Sequence, residues 1–303
     1  MMTTSRSLTG PSACHPGPVR CAQGKLREGS LQLDSQANTG DLRGLWPLRM
    51  TVPGFFCPLI VLTTLAGGVG TSYAVERVWE KQFPLSPGGR VSIENVQGGI
   101  WVEGWDQSQV EATVAMHSTA PTDRLDDVQV AVEARRGSLA FHTLYPSDLE
   151  VPVRVDYHLR VPRQVRLEEL STLEGGVAVR DVEGPVHARS LHGDIAGINL
   201  GGALAARALT GSIRVTLRSL PCPDEMVKLE TVSGDVILQL PPRANADLEL
   251  ATVSGRILGH YAFQASSVPG DATRRVHLGE GGVVVKLRTV RGDIQLAQRP
   301  EEL

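Results

Sequence analysis

Aromatic residues are scarce in this chain: Phe, Trp and Tyr make up 4% of 303 residues, and positions 159–303 hold only Tyr261 and Phe263, with no Trp. The C-terminal half therefore has little with which to stack on sugar rings or bases. An excess of one charge is also missing. Thirty Lys and Arg against 33 Asp and Glu leave a net charge of −3, which excludes a bulk electrostatic pull toward nucleic acid or anionic lipid. Cysteine is rare too, at four positions. Catalytic signatures are lacking: there is no Gly-x-Ser-x-Gly elbow, no His-Glu-x-x-His and no phosphate-binding Gly-Lys loop. No cofactor or metal site is expected. What is abundant is glycine, at 32 positions, with a 41% hydrophobic content that excludes disorder throughout.

Residues 1–49 carry no periodic apolar pattern and are rich in Pro, Gly, Ser and Arg. They read either as a disordered extension or as a start site placed too early. Residues 50–74 have the order of a signal peptide, with an apolar stretch from Phe55 to Ala66 and a small-x-small site at Ser72-Tyr73-Ala74. The stretch falls short of the roughly 20 apolar residues of a spanning helix, and Arg43 and Arg49 supply a positive flank. Cleavage after Ala74 is expected, giving a periplasmic or secreted protein without stable membrane insertion. The alternative is an uncleaved anchor in the inner membrane. Export leaves Cys222 as the single cysteine of the mature chain, in the loop Leu220-Pro221-Cys222-Pro223, so no disulfide framework is available.

The strongest signal is an internal repeat, apolar-x-Thr/Ser-Val/Leu-x-Gly-x-Val/Ile-x-apolar. It appears as Leu170-Ser171-Thr172-Leu173-Glu174-Gly175-Gly176-Val177-Ala178-Val179 and as Leu229-Glu230-Thr231-Val232-Ser233-Gly234-Asp235-Val236-Ile237-Leu238. Further copies centre on Gly193, Gly211, Gly255 and Gly292, with an outlying copy on Gly98. Glycines at 175, 184, 193, 202 and 211 recur every nine residues. Alternation on either side of the repeat glycine has the period of a strand with one buried face, pointing Leu229, Thr231, Val236, Leu238 and Leu240 inward. The change of parity at the glycine marks a corner, where φ > 0 costs glycine nothing. Nine residues are too few for a helical crossover, so successive strands are expected to stack as coils. The expected fold is all-β, a parallel β-solenoid with corners at Gly98, Gly175, Gly193, Gly211, Gly234, Gly255 and Gly292. A β-sandwich is the alternative.

Residues 75–165 do not keep the nine-residue step and read as an N-terminal β-rich region of longer antiparallel strands, ahead of repeats over 166–303. Trp79, Trp101, Trp105, Phe141, Tyr145 and Tyr157 are expected to close the end of the core, with a binding patch as the alternative.

From about Val75 onward the chain resembles the bacterial DUF4097 family of adhesin-like, β-strand-repeat proteins. The resemblance rests on Phe83-Pro84 before Gly88-Gly89-Arg90-Val91, on Val102-Glu103-Gly104-Trp105-Asp106, on Tyr157-His158-Leu159-Arg160-Val161-Pro162 and on the Thr-Val-x-Gly repeats. It implies export, a β-solenoid and adhesin-like binding. Members often carry Asn before the repeat glycine, where this chain has Ser233, Ser254, His192, Thr210 or Arg291.

Three functions remain open on these grounds. An exported, non-catalytic adhesin-like module binding an envelope or extracellular ligand comes first. A structural envelope protein that associates end to end is second, and a polysaccharide-processing β-helix enzyme third. For the last, Asp194, Asp235 and Asp293 share the position after the repeat glycine and could form a carboxylate row. The same pattern is ordinary corner chemistry, because a short Asp side chain bonds nearby backbone. His187 and His192, five apart in one strand, are placed on opposite faces and not in a shared metal site. Arg291-Gly292-Asp293, a tripeptide read by integrins, falls in repeat phase and reads as coincidence.

Overall fold

A computed structural model describes residues 75–118, 125–146, 153–259, 264–265 and 273–299. The extension 1–49 and the signal segment 50–74 lie outside the described residues. In chain order the strands are β1 (Val75–Pro84), β2 (Arg90–Gln97), β3 (Ile100–Trp105), β4 (Gln109–Ser118), β5 (Gln129–Arg135), β6 (Ser138–Leu144) and β7 (Val153–Pro162). They continue as β8 (Arg166–Glu174), β9 (Val177–Arg180), β10 (Val186–His192), β11 (Ile195–Leu200), β12 (Leu204–Thr210), β13 (Ile213–Leu217) and β14 (Met226–Ser233). The last are β15 (Val236–Leu240), β16 (Ala246–Ser254), β17 (Ile257–Leu258), β18 (Gln264–Ala265), β19 (Arg274–Leu278), β20 (Val283–Arg291) and β21 (Ile294–Gln298). There is no α-helix among the described residues.

The strands form two large mixed sheets. A ten-stranded sheet runs β1-β4-β7-β3-β9-β11-β13-β15-β21-β17, and an eleven-stranded sheet runs β18-β19-β16-β20-β14-β12-β10-β8-β2-β6-β5. Strands consecutive in sequence, such as β8 and β9, lie in opposite sheets, and the partner of β8 in its own sheet is β10. This corrects the expectation that strands nine residues apart stack on each other. The nine-residue step is half of an 18-residue circuit, so Gly175, Gly193 and Gly211 share one corner while Gly184 and Gly202 sit at the other.

Pairing is parallel through the middle of both sheets, from β3/β9 to β15/β21 and from β2/β8 to β14/β20. It turns antiparallel at β1/β4, β4/β7, β5/β6, β16/β19 and β18/β19. A wholly parallel stack is therefore not what these sheets are. Strand order also departs from sequence order at both ends. The pair β2/β3 lies between β6/β7 and β8/β9, and the C-terminal pair β20/β21 lies between β14/β15 and β16/β17. Thus β2 and β3, from the segment assigned to the N-terminal region, share the ladders of the repeats.

Inward residues of both sheets meet in one core that includes Ile93, Leu170, Leu229, Val236, Leu238, Leu240 and Leu287. Strand alternation makes this possible, because every second side chain reaches the same interior. At the N-terminal end Phe141 and Tyr157 are fully buried, with ring centroids 6.0 Å apart, and Phe83 meets Phe141 edge-on at 6.0 Å. Trp79 and Tyr145 pack against the same core, partly buried. Burial pushes the Tyr157 hydroxyl up to about 12, although Thr143, 2.6 Å away, works in the other direction.

Candidate binding face

The repeat corners organise the surface. Gly98, Gly175, Gly193, Gly211, Gly234 and Gly292 have φ between +124° and +155°, whereas Gly255 does not have a positive φ. A second constraint holds at all seven: a Cβ on any of them meets a backbone carbonyl of the neighbouring strand pair, such as that of Gly211 beneath Gly234. The corner carbonyls are in turn capped from inside. Thr172 donates to Gly98 O at 3.0 Å, Ser190 to Gly175 O at 3.0 Å, Thr231 to Gly211 O at 2.9 Å, Thr289 to Gly234 O at 2.9 Å and Thr252 to Gly292 O at 3.0 Å. These are the Thr and Ser of the Thr-Val-x-Gly motif. Each buried hydroxyl ties its own strand pair to the next.

The aspartates after the corner glycines make a parallel set of ties outside. Asp194 Oδ1 accepts the Ser212 N–H at 2.8 Å, Asp235 Oδ1 the Asp293 N–H at 2.8 Å and Asp293 Oδ1 the Arg256 N–H at 2.8 Å. Their bonds run between strand pairs, not within one turn as the sequence suggested. The remaining Asp194 and Asp293 oxygens meet Arg214 at 3.2 Å and Arg256 at 3.0 Å. The Arg256 N–H and then its guanidinium hold the Asp293 carboxyl below the usual carboxylate range. A carboxyl held in that way, as Asp293 is, lacks the raised pKa of a general acid. His187 and His192 are both exposed, since parity breaks at the corner after Leu191. Among the described residues no group of three or more His, Cys, Asp and Glu side chains could hold a metal ion. Cys222 is exposed in the loop between β13 and β14.

The sequence left one motif position without a role, the Val or Leu after the Thr. It points outward. Leu173, Leu191, Leu209, Val232 and Val290 are 38–47% exposed and occupy neighbouring strands of the eleven-stranded sheet, β8-β10-β12-β14-β20. They line a groove of about 620 Å³. Two residues back on the same outward side stand Ser171, Arg189, Arg207, Glu230 and Arg288, in register. Arg189 pairs with Glu169 at 3.2 Å, and Glu230 is held by Arg207 at 2.6 Å and Lys228 at 3.0 Å. Burial works against the Glu230 charge, but the Arg207 and Lys228 bonds outweigh it and leave the carboxyl below its usual range. Isolated exposed aliphatics are commonplace, whereas these form one continuous row along five strands.

The remaining aromatics face out from the ten-stranded sheet. Trp101 is 37% exposed and stacks on His158 at 4.5 Å, while Trp105 donates to Gln109 O at 2.8 Å beneath Arg160. The six aromatics expected to close the core thus divide, with Trp101 and Trp105 outside it.

No family model matches the chain, and no curated protein matches it. Among solved structures it is similar to a "putative cell adhesion protein" from Clostridium sporogenes, with 10% identity, 74% of this chain and 100% of that one covered, and a TM-score of 0.34. A "putative adhesin" from Bacteroides fragilis has 10% identity, coverage of 74% and 97%, and a TM-score of 0.31. A "putative lipid binding protein" from Parabacteroides distasonis has 9% identity, coverage of 74% and 97%, and a TM-score of 0.25.

Proposed function

We propose that this chain is an exported, non-catalytic, adhesin-like binding module of the bacterial envelope, and that its parallel strand pairs act as a β-solenoid presenting one binding face. The observation that carries this reading is the aliphatic row of Leu173, Leu191, Leu209, Val232 and Val290 beside a row of charged side chains, one of each from most strands. A solenoid with a fixed corner repeats whatever stands outside the corner, which suits it to an extended ligand. The DUF4097-like motifs point the same way.

Neither alternative has comparable support. In the enzymatic reading the Asp row must be free to exchange protons, yet each of its carboxylates accepts a backbone N–H. End-to-end assembly needs open strand edges. Here the edge strands β1 and β5 bear exposed Glu76, Arg77, Glu80 and Lys81 and exposed Glu133 and Arg135, and the opposite edges are the two-residue β17 and β18. The test is retention of the mature chain by bacterial envelope fractions, with Leu209→Ser/Val232→Ser as the control. Retention that falls at least tenfold in the variant at unchanged melting temperature supports the reading; equal retention refutes it. Export is checked by mass spectrometry of protein recovered outside the cytoplasm, which should begin at Val75.

A further inference from the structure

The charges around the groove are not evenly matched. Glu230 is already bonded to Arg207 and Lys228, and among the described residues neither Arg288, in register beside it, nor Arg291, the exposed residue after Val290, has an ion pair. Two cations therefore flank the Val290 end of the groove, beyond which only the 80% exposed Val253 of β16 continues the aliphatic row. From Val290 to Leu173 the row crosses four strand spacings, or roughly 19 Å at about 4.8 Å each. One leaflet of a bilayer's hydrocarbon core, occupied by a single acyl chain, is about 15 Å deep.

We propose that this groove binds one unbranched acyl chain with an anionic head group, the chain lying along Val232, Leu209, Leu191 and Leu173 and the head beside Arg288 and Arg291. The inference rests on the binding-module reading and gives its ligand a chemical class. Periodicity argues against a peptide. An extended strand repeats its side chains every ~6.6 Å and a helix every ~5.4 Å, so both drift out of step with rows ~4.8 Å apart, whereas a methylene chain has no side-chain repeat to match. A sugar chain is disfavoured because no aromatic ring lines the groove.

The test is calorimetric titration of the full mature chain, below micellar concentrations, with octanoate, decanoate, dodecanoate and tetradecanoate. Dodecyl maltoside serves as a neutral head on the same tail and inorganic phosphate as a head without a tail. Affinity should rise about twofold to fourfold per methylene and level off once the tail passes Leu173. Arg288→Gln/Arg291→Gln should weaken dodecanoate about tenfold and leave dodecyl maltoside unchanged, while Leu209→Ser/Val232→Ser should weaken both. Affinity independent of tail length, phosphate binding as tightly as dodecanoate, or an arginine pair without effect each overturns the proposal. If no amphiphile binds but envelope retention still depends on Leu209 and Val232, the acyl ligand is refuted and the binding-module reading stands. Should Leu209→Ser/Val232→Ser melt early, the tail-length series and the arginine pair, both made with the aliphatic row intact, still decide the matter.

Discussion

At one corner the link from β2, β8, β10, β12, β14, β16 or β20 to the strand that follows is always two residues, from Gly98-Gly99 to Gly292-Asp293. At the opposite corner the links run 181–185, 201–203, 218–225 and 241–245. The same sheets and core stand behind both. The difference lies in the ties at each corner. Backbone lies against backbone at both, with Gly234 over the Gly211 carbonyl at the constant corner and Gly202 over the Gly184 carbonyl at the variable one. At the constant corner, however, Thr and Ser hydroxyls and Asp carboxylates repeat as ties from pair to pair. Near the variable corner the side-chain tie is of another kind. Asp181 and Asn199 take φ of +56° and +57°, and Asn199 donates to Asp181 at 3.1 Å. Asp and Asn tolerate that region better than other side chains, so this corner does not depend on glycine alone.

Insertion should break the comparison most sharply. One Ala between Gly234 and Asp235 shifts β15 by one residue, turning Val236, Leu238 and Leu240 toward solvent. Each buried aliphatic is worth about 1.5–3 kcal/mol, so the loss approaches the ~5–15 kcal/mol that holds a typical domain together. No cooperative melting transition is expected. The same Ala between Pro223 and Asp224 lengthens a link that already varies, at a cost of a few tenths of a kcal/mol in loop entropy. Comparable melting curves for the two insertions would remove the distinction between the corners.

Single glycines resolve it further. Gly234→Ala adds a Cβ against the Gly211 carbonyl at φ +150°, and strain plus crowding should cost about 2–5 kcal/mol. At Gly176, at the same corner and without a positive φ, the nearest atom to an added Cβ is Asp194 O at 3.2 Å, so Gly176→Ala should stay within about 1 kcal/mol. Denaturant unfolding of the two variants measures this directly.

The contrast also explains what could be read from the sequence. Inward Leu229, Thr231, Val236, Leu238 and Leu240 and the corner at Gly234 were legible because local sterics and alternation decide them. The 18-residue circuit was not, since Gly184 and Gly202, which lie against the Val165 and Gly184 carbonyls at the other corner, fall midway between the constant-corner glycines and halve the apparent step. Nor was the placing of β20/β21 between β14/β15 and β16/β17, because every repeat offers the same inward pattern and tertiary fit selects the neighbour. The aliphatic row was visible as a motif position, but as outward-facing only once the corner had fixed the strand parity.

A smaller effect separates the two layers of ties at the constant corner. Replacing Asp194, Asp235 and Asp293 by Asn keeps an oxygen to accept each N–H, so the melting temperature at neutral pH should change little. The acid response should change more clearly. The Asp293 pKa is lowered from 3.8 by the Arg256 N–H and guanidinium, so its contribution is complete above the unfolded value and disappears as pH falls through the lower folded one. Between about pH 4 and the acid transition the parent should lose more stability than Asp293→Asn, as followed by melting temperature. Identical acid profiles would show that the carboxylate charge is immaterial there.

The smallest effect concerns the one place where the inner layer is interrupted. Ala208 stands between Ser190 and Thr231 in register, is 1% exposed, and has no hydroxyl to offer the Gly193 carbonyl, the position its neighbours cap at Gly175 and Gly211. Ala208→Ser supplies that donor. Serine adds one oxygen where Ser190 is accommodated one strand away, so the crowding that a β-branched Thr brings is avoided. A buried hydrogen bond made without a new orphan group contributes about 0.5–1.5 kcal/mol. Part of this is offset by desolvating the hydroxyl, which leaves an expected gain of about 0.5–1 kcal/mol, or roughly 1–4 °C in melting temperature for a unit of this size. Asp194→Ala beside it should move stability the opposite way by a similar amount, since it removes the outer tie to Ser212. Loss of stability in Ala208→Ser would mean that the Gly193 carbonyl is already satisfied, and that the hydroxyls follow the corners without holding them together.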